Sequence, residues 1–282
     1  MAPADTAFAR HPQWIGPACA VGATGLGLAY LAAAGAPVRY VFVNAGALLV
    51  GLTIVAAGTR WPRAIAPRPG LAILAIGAAL LAAAFFGHTL EGATRWVRVG
   101  PLSLQPSLVL LPMMCVMAGR AHGVLAASGL IVAAIALALQ PDRAMAGALV
   151  AGVAVLTLER PDRWRVAALA AAAVGFAVTL ARPDILPAQP FVEQVFFSAS
   201  QVHVLAGLAV WSGAVLLVIP AVVGAVARPD CREAYLAFGG VWLAVIAASA
   251  LGNYPTPVVG YGASSILGYV LSLAALGGRL DR

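Results

Sequence analysis

Ten apolar runs divide the chain, at residues 15–34, 40–58, 70–87, 105–119, 122–139, 144–158, 164–180, 199–226, 234–251 and 262–277. Most approach the roughly 20 residues that a helix needs to cross a hydrocarbon core about 30 Å thick; the runs at 105–119 and 144–158 are the shortest. Lipid offers no partner for backbone N–H and C=O groups, so spans of this kind must be helices rather than open sheet. The pattern predicts an all-α, polytopic integral membrane protein of about ten transmembrane helices. The first run is long enough to span and is read as a retained helix rather than a cleaved leader.

Composition narrows the class further. The chain has 282 residues, 62% hydrophobic and 10% charged, with a mean hydropathy of +0.95, which excludes a soluble globular protein. No polar stretch is long enough for a second domain, so residues 1–282 are expected to form one membrane domain. The spans are rich in Ala, Leu, Val and Gly, and small residues let helices approach closely where the hydrophobic effect no longer drives association. Cys19, Cys115 and Cys231 show neither a disulfide framework nor a metal-ligand spacing.

Charge fixes an orientation. All 17 basic residues are arginines. With both termini inside, the cytoplasmic side carries Arg10, Arg60, Arg63, Arg68, Arg120, Arg160, Arg163, Arg165, Arg228, Arg232, Arg279 and Arg282. Only Arg39, Arg95, Arg98, Arg143 and Arg182 then face outward, as the positive-inside rule requires. The net charge of +7 is therefore a topology signal that also attracts anionic membrane lipid. No basic run interleaved with aromatics points to nucleic acid.

Polar chemistry concentrates on the outer side, in segments 87–107, 140–145, 181–194 and 253–265. They hold Glu91, Asp142, Asp184 and Glu193, with Arg95, Arg98, Arg143 and Arg182. In GATRWVRVGPLSLQPS, Arg95 and Arg98 are three apart and would share one side of a helical turn. The Trp96 and arginine mixture suits an interfacial anchor or a surface for an anionic head group. Pro106 enters the next helix where a proline costs no hydrogen bond. Asp142 stands at a helix start and suits an N-cap. His203 lies inside the eighth run, where an ionisable residue is a functional candidate as well as a neutral packing residue. His88 and Glu91 suit a solvated position. In NYPTPVVGYGASS, prolines and glycines break the chain before a helix whose N-terminal N–H groups would favour an anion.

These motifs resemble the SEDS family of shape, elongation, division and sporulation proteins, the FtsW and RodA group. Its Gly-Ala-Arg-Arg-Trp-Ile, Gly-Pro and Gln-Pro-Ser-Glu signature is matched in order by Gly92, Ala93, Arg95, Trp96, Gly100, Pro101, Gln105, Pro106 and Ser107. Gln140, Pro141 and Asp142 match the start of its Gln-Pro-Asp-Leu-Gly-Thr block. Pro255, Pro257, Tyr261, Gly262, Ser264 and Ser265 match its Pro-Leu-Pro-Phe-Ile-Ser-Tyr-Gly-Gly-Ser-Ser block. The resemblance covers about residues 70–277.

The resemblance implies a glycosyltransferase of the bacterial cytoplasmic membrane that polymerises peptidoglycan glycan strands from lipid II at the outer face, in cell elongation or division. A class B penicillin-binding protein is the implied partner. The family's catalytic Asp sits in a His-Thr-Asp-Phe-Ile-Phe segment; sliding without gaps to Gly207 places Val192 on the Thr, Glu193 on the Asp and Phe196 on the second Phe. Glu193 is the catalytic candidate, with Asp142 beside it. Glycosyl transfer from a polyprenyl pyrophosphate needs a carboxylate to take the acceptor proton and positive or hydrogen-bonding groups for the departing pyrophosphate. Arg95, Trp96, Arg98, Gln105, Arg143, Tyr261, Ser264 and Ser265 are the substrate-binding candidates. A divalent ion, Mg or Mn, bridged by Asp142 is a further source of positive charge.

The chain departs from the family at three places. Leu108 and Leu111 replace a Glu and a Lys, the external loop is cut to about residues 181–195, and the key acid is Glu rather than Asp. Three readings follow: a reduced but active glycosyltransferase, a non-catalytic SEDS-like protein that binds lipid substrate or a partner, and a lipid or small-solute transporter.

Overall fold

The computed structural model describes residues 14–58, 68–90, 93–100, 102–182 and 187–277. Glu91, Gly92, Pro101 and Asp184 lie outside the described residues, as does the side chain of His88.

Helices α1 (Ile15–Ala33), α2 (Val38–Gly58) and α3 (Pro69–Phe86) come first. A small antiparallel sheet follows, β1 (His88–Leu90), β2 (Ala93–Val99) and β3 (Leu102–Leu104), in that order. Then come α4 (Pro106–Ala118), α5 (Val124–Leu139), α6 (Arg143–Glu159) and α7 (Arg163–Leu180). The chain closes with α8 (Val195–Val202), α9 (Val204–Ala227), α10 (Arg232–Leu251) and α11 (Ala263–Gly277). Six of the described helices are long and apolar enough to cross a membrane, and α4, α5 and α11 are shorter apolar helices. The molecule is an α-helical, multi-pass membrane protein.

The ends of these helices follow local chemistry. Proline opens α3 and α4, where its missing N–H costs nothing. Asp162 caps α7 by accepting from the N–H groups of Trp164 at 2.8 Å and Arg165 at 3.0 Å. Helices α3 and α5 touch through glycine: a methyl on Gly129 would lie 2.7 Å from the Ile73 backbone.

Helix α4 lies at the centre, against α3, α6, α10 and α11. Leu108 and Leu111 on it are buried in the core, so the positions that carry charge in the resembled family are apolar packing here. Phe238 and Trp242 of α10 meet Tyr269 of α11, with the Trp242 and Tyr269 rings 5.1 Å apart at 71°. The Trp242 indole N–H reaches the Ser272 hydroxyl at 3.2 Å and the Tyr269 hydroxyl donates to the Leu217 carbonyl at 3.1 Å, so the polar tips of this cluster are satisfied.

On the arginine-rich side, two arginines fasten helices together rather than only marking topology. Arg120 donates to the last carbonyls of α11, Ala275 at 2.6 Å and Leu276 at 2.5 Å. Arg165, only 5% exposed, donates to the Leu156 carbonyl at 2.8 Å and pairs with Glu233 at 2.6 Å.

The structure departs from the expected pattern at two places. The stretch at 93–99 is a strand, not a helical turn, so residues three apart point to opposite faces. Arg95 is accordingly buried and Arg98 exposed. The eighth run is not one helix either. It breaks at His203, whose backbone is extended (φ −165°, ψ 145°). On a continuous helix residues 196 and 211 would be about 22 Å apart, yet the Phe196 and Trp211 rings stack at 4.5 Å. Helix α8 is thus folded back along the first turns of α9. With 24 residues, α9 is about 36 Å long and crosses the bilayer unaided.

Candidate functional site

The fold-back decides where Glu193 sits. The start of α8 lies level with Trp211, about 10 Å along the α9 axis from its first residue. The α8 side chains Val195, Phe196 and Ala199 are buried against Tyr30 and Leu31 of α1 and Val210 and Ala214 of α9. Glu193, two residues earlier, is held at the end of the bundle that the arginine distribution assigns to the outside.

A second non-helical segment meets it there. Residues 252–262 join α10 to α11, and Tyr254, Thr256, Val258 and Val259 are buried. Non-helical backbone at such a depth must find its hydrogen bonds within the protein, and it does so along residues 189–195. The Thr256 N–H donates to the Val192 carbonyl at 2.8 Å, and the Tyr261 N–H to the Phe191 carbonyl at 2.6 Å. Glu193 and Pro255 form an antiparallel bridge between them. The Thr256 hydroxyl accepts from the Val195 N–H at 3.4 Å, and the Gln194 amide donates to Asn253 at 2.8 Å. On its own side, Glu193 accepts from the Gln189 N–H at 2.7 Å through Oε2.

Helices α4 and α11, with 13 and 15 residues, are about 20 and 22 Å long and too short to span unaided. Their starting ends are joined where the Gln105 N–H donates to the Ser264 hydroxyl at 2.9 Å. Above them lies a cleft of about 440 Å³, counted to its open mouth. Arg95 and Trp96 of β2, Gln105, Leu108, Glu193, Asn253 and Pro255 line it among others. The Arg95 guanidinium lies 5.9 Å from the centre of the Trp96 ring. An acid, a guanidinium, two amides and an indole thus line one narrow cleft.

The remaining candidates build the walls. Asp142 is 1% exposed. Its Oδ2 accepts from Gln105 Nε2 at 2.8 Å and from the Ser107 hydroxyl at 2.6 Å, and its Oδ1 accepts from the Met145 N–H at 3.4 Å. It caps α6 and aligns Gln105. An ion bridged there would have to displace three protein donors, so the position does not suit a divalent cation. Among the described residues no group of three or more His, Cys, Asp and Glu side chains is placed to hold a metal. Arg143 turns away from the cleft and donates to the Thr179 and Arg182 carbonyls at the end of α7, at 3.3 and 2.9 Å. Arg98 lies exposed on the sheet opposite Ser103. Ser265 accepts from the Val258 N–H and donates to the Gly262 carbonyl, each at 3.1 Å. Tyr261 stacks on Tyr40 at 3.6 Å. His203 caps α9 by accepting from the Leu205 N–H at 3.1 Å, outside the lining of the cleft.

Two residues of the site carry no motif signal: Asn253, which lines the cleft, and Asn44 of α2. Asn44 is fully buried and holds the 260–262 turn from both sides, donating to the Gly260 carbonyl at 2.9 Å and accepting from the Gly262 N–H at 3.1 Å. A lone Asn within an apolar span is a signal that sequence reading can use.

The fold and the cleft define a class: a helical multi-pass membrane protein in which two non-helical segments, paired across the outer half of the bundle, present an acid to an opening that Arg95 of the small sheet also lines. The particular likeness is to the rod shape determining protein RodA of Thermus thermophilus. Its crystal structure superposes with a TM-score of 0.62 at 19% identity, covering 93% of this chain and 94% of that one. The structure of an aspartate-to-alanine mutant of the same protein matches at the same score and identity, covering 93% and 95%. The chain therefore has the RodA fold. No protein-family model matches it, and no curated protein does either.

Proposed function

We propose that the chain is a divergent, shortened SEDS-type protein of the bacterial cytoplasmic membrane that transfers glycan from lipid II, or another polyprenyl-pyrophosphate-linked sugar, to a growing strand at the outer face. The observation that carries this reading is Glu193: it lines the cleft beside Arg95 and Gln105, on a backbone pinned by the paired segment. In this reading Glu193 takes the proton from the attacking sugar hydroxyl as the new glycosidic bond forms and the bond to the pyrophosphate breaks. Arg95 meets the negative charge that develops on the departing pyrophosphate, with Gln105 and Asn253 as hydrogen-bonding groups beside it. The polyprenyl tail stays in the surrounding lipid. A class B penicillin-binding protein is the partner that the family resemblance proposes.

The purified chain in lipid vesicles, supplied with lipid II, is the test. Polymer is expected from the wild type, and Glu193→Gln is expected to lower the rate by about 100-fold or more with lipid II binding retained. A second reading keeps the lipid-binding cleft without catalysis, and the narrowness of the cleft favours it: the enclosed part has room for little more than a water molecule. Bound lipid II with no polymer would establish that reading. Flux of labelled lipid that survives Glu193→Gln would overturn both in favour of transport.

A further inference from the structure

Resting on the assignment of Glu193 as the reacting acid, we infer that Tyr40 and Asn44, one turn apart on α2, are positioning residues that clamp the two paired segments and so fix the Glu193 carboxylate. Neither touches the cleft; both act through backbone.

Residues i and i+4 share a helix face, and this face of α2 makes three contacts with the paired segments. Both polar atoms of the buried Asn44 amide are used on the 260–262 turn, one at its first carbonyl and one at its last N–H. Tyr40 stacks on Tyr261, the residue between them, with ring centres 3.6 Å apart at 8°. Its ring also meets the edge of Phe191 at 6.1 Å and 76°. Tyr261 in turn donates its N–H to the Phe191 carbonyl, two residues before Glu193. Side chains on one turn of α2 thus grip both strands of the pair that carries the acid.

The backbone needs such a grip. Phe191, Gln194 and Val258 have φ of 67°, 56° and 65°. That left-handed region is unfavourable for a bulky or β-branched residue and persists only where its surroundings over-determine it. All three lie on the paired segments, two of them flanking Glu193. The turn also has no room to readjust: a methyl on Gly260 would lie 2.9 Å from the Thr256 carbonyl oxygen and 3.2 Å from that of Phe191. Without the amide, the turn would lose one acceptor and one donor partner on the side packed against α2, and the strained backbone would relax toward commoner conformations.

Asn44→Leu keeps the volume and removes both hydrogen bonds. Hydrogen exchange of the full chain in vesicles is expected to rise in peptides covering 187–195 and 253–262 and to stay unchanged in α5 and α6. In the lipid II assay kcat is expected to fall about 100-fold, the penalty for an ångström-scale misplacement, with KM within about twofold because Arg95 and Gln105 stay in place. Tyr40→Leu should raise exchange in the same two peptides, and Tyr40→Phe should not. Trp242→Phe, which loses the Ser272 hydrogen bond at a residue that does not line the cleft, is the control for a general loss of stability and should leave local exchange unchanged. Should Asn44→Leu not fold, Asn44→Ser, which keeps one short hydroxyl, carries the same expectation at smaller amplitude. Unchanged exchange in 187–195 overturns the clamp whatever the activity. Raised exchange with full polymerisation leaves a clamp that does not position the acid and overturns the inference. If the wild type makes no polymer, the proposed activity fails, and exchange alone decides whether the clamp exists.

Discussion

Asp142 offers the sharpest separation between a reacting acid and a scaffold acid. Its carboxylate satisfies three buried donors, from Gln105, Ser107 and Met145. Asp142→Ala removes the cap of α6, worth about 1 kcal/mol. It also strands the fully buried Ser107 hydroxyl and one N–H of the largely buried Gln105, at up to about 1–3 kcal/mol each. Because members of one network do not add simply, the expected loss is about 3–5 kcal/mol, a large part of the 5–15 kcal/mol that typically stabilises a fold. Asp142→Asn behaves differently. Its amide oxygen can keep Gln105 and Ser107, but the NH2 then faces the Met145 N–H donor to donor, so only the cap is lost, about 1 kcal/mol.

Denaturant unfolding of the purified variants in detergent reads both values, and the lipid II assay reads the consequence. Asp142→Asn is expected to retain polymerisation within about tenfold of the wild type, because the Gln105 side chain still faces the cleft in its original place. Two results would refute this reasoning. Equal destabilisation by Asn and Ala, to within about 0.5 kcal/mol, would mean that the hydrogen bonds at Oδ2 contribute nothing. A fully stable Asp142→Asn protein as inactive as Glu193→Gln would make Asp142 the reacting acid.

Two further outcomes follow from the same geometry. A methyl on Gly27 of α1 would lie 2.7 Å from the Cα and carbonyl oxygen of Val259. Gly27→Ala must therefore push the 258–260 backbone away by most of an ångström, at about 1–3 kcal/mol, and lower polymerisation about 100-fold. Gly25→Ala, whose methyl meets nothing within 4 Å, should leave both unchanged, and similar behaviour of the two variants would sink the argument. At Asp162, in the α6–α7 connection, burial pushes the carboxyl up, but the N–H groups of Arg165 and Trp164 and the Arg165 charge outweigh it and hold it below its ordinary value. A folded-state pKa below the unfolded one means stabilisation that is present above about pH 4 and lost as pH falls further. Unfolding measured from pH 6 to pH 3 should show the wild type losing ground relative to Asp162→Asn, which caps without titrating; parallel curves would contradict the assignment.

The helices were legible because lipid imposes a length, and prolines, glycines and arginines mark where each apolar run stops. The run at 15–34 became Ile15–Ala33 and that at 234–251 became Arg232–Leu251. The sheet was hidden because its central strand buries Arg95 and exposes Val99, which erases the alternation that would announce a strand. The turn back at His203 was hidden because the residues on both sides are apolar and histidine is no helix breaker. Only the cap it makes with Leu205 and the stack of Phe196 on Trp211 reveal the fold-back. Asn44 lies 216 residues from Gly260, and no local pattern joins them.

The motif residues divide by what the membrane demands of them. Chain that leaves helical form inside a bilayer must satisfy every backbone group within the protein, and the motif polar groups do so first. Ser264 serves the Gln105 N–H, Ser265 serves the Val258 N–H, and Asp142 serves the Met145 N–H. Arg143 serves the carbonyls at the end of α7. Replacing these side chains with ones that cannot hydrogen-bond would unpick the cradle. Glu193 is placed differently: its backbone is fixed by the paired segment, while its side chain lines the cleft. Its Oε2 also accepts from the Gln189 N–H at 2.7 Å, so shortening the acid by one methylene withdraws that hydrogen bond as well as moving the carboxylate. Glu193→Asp therefore tests the placement of the acid together with the turn that it closes.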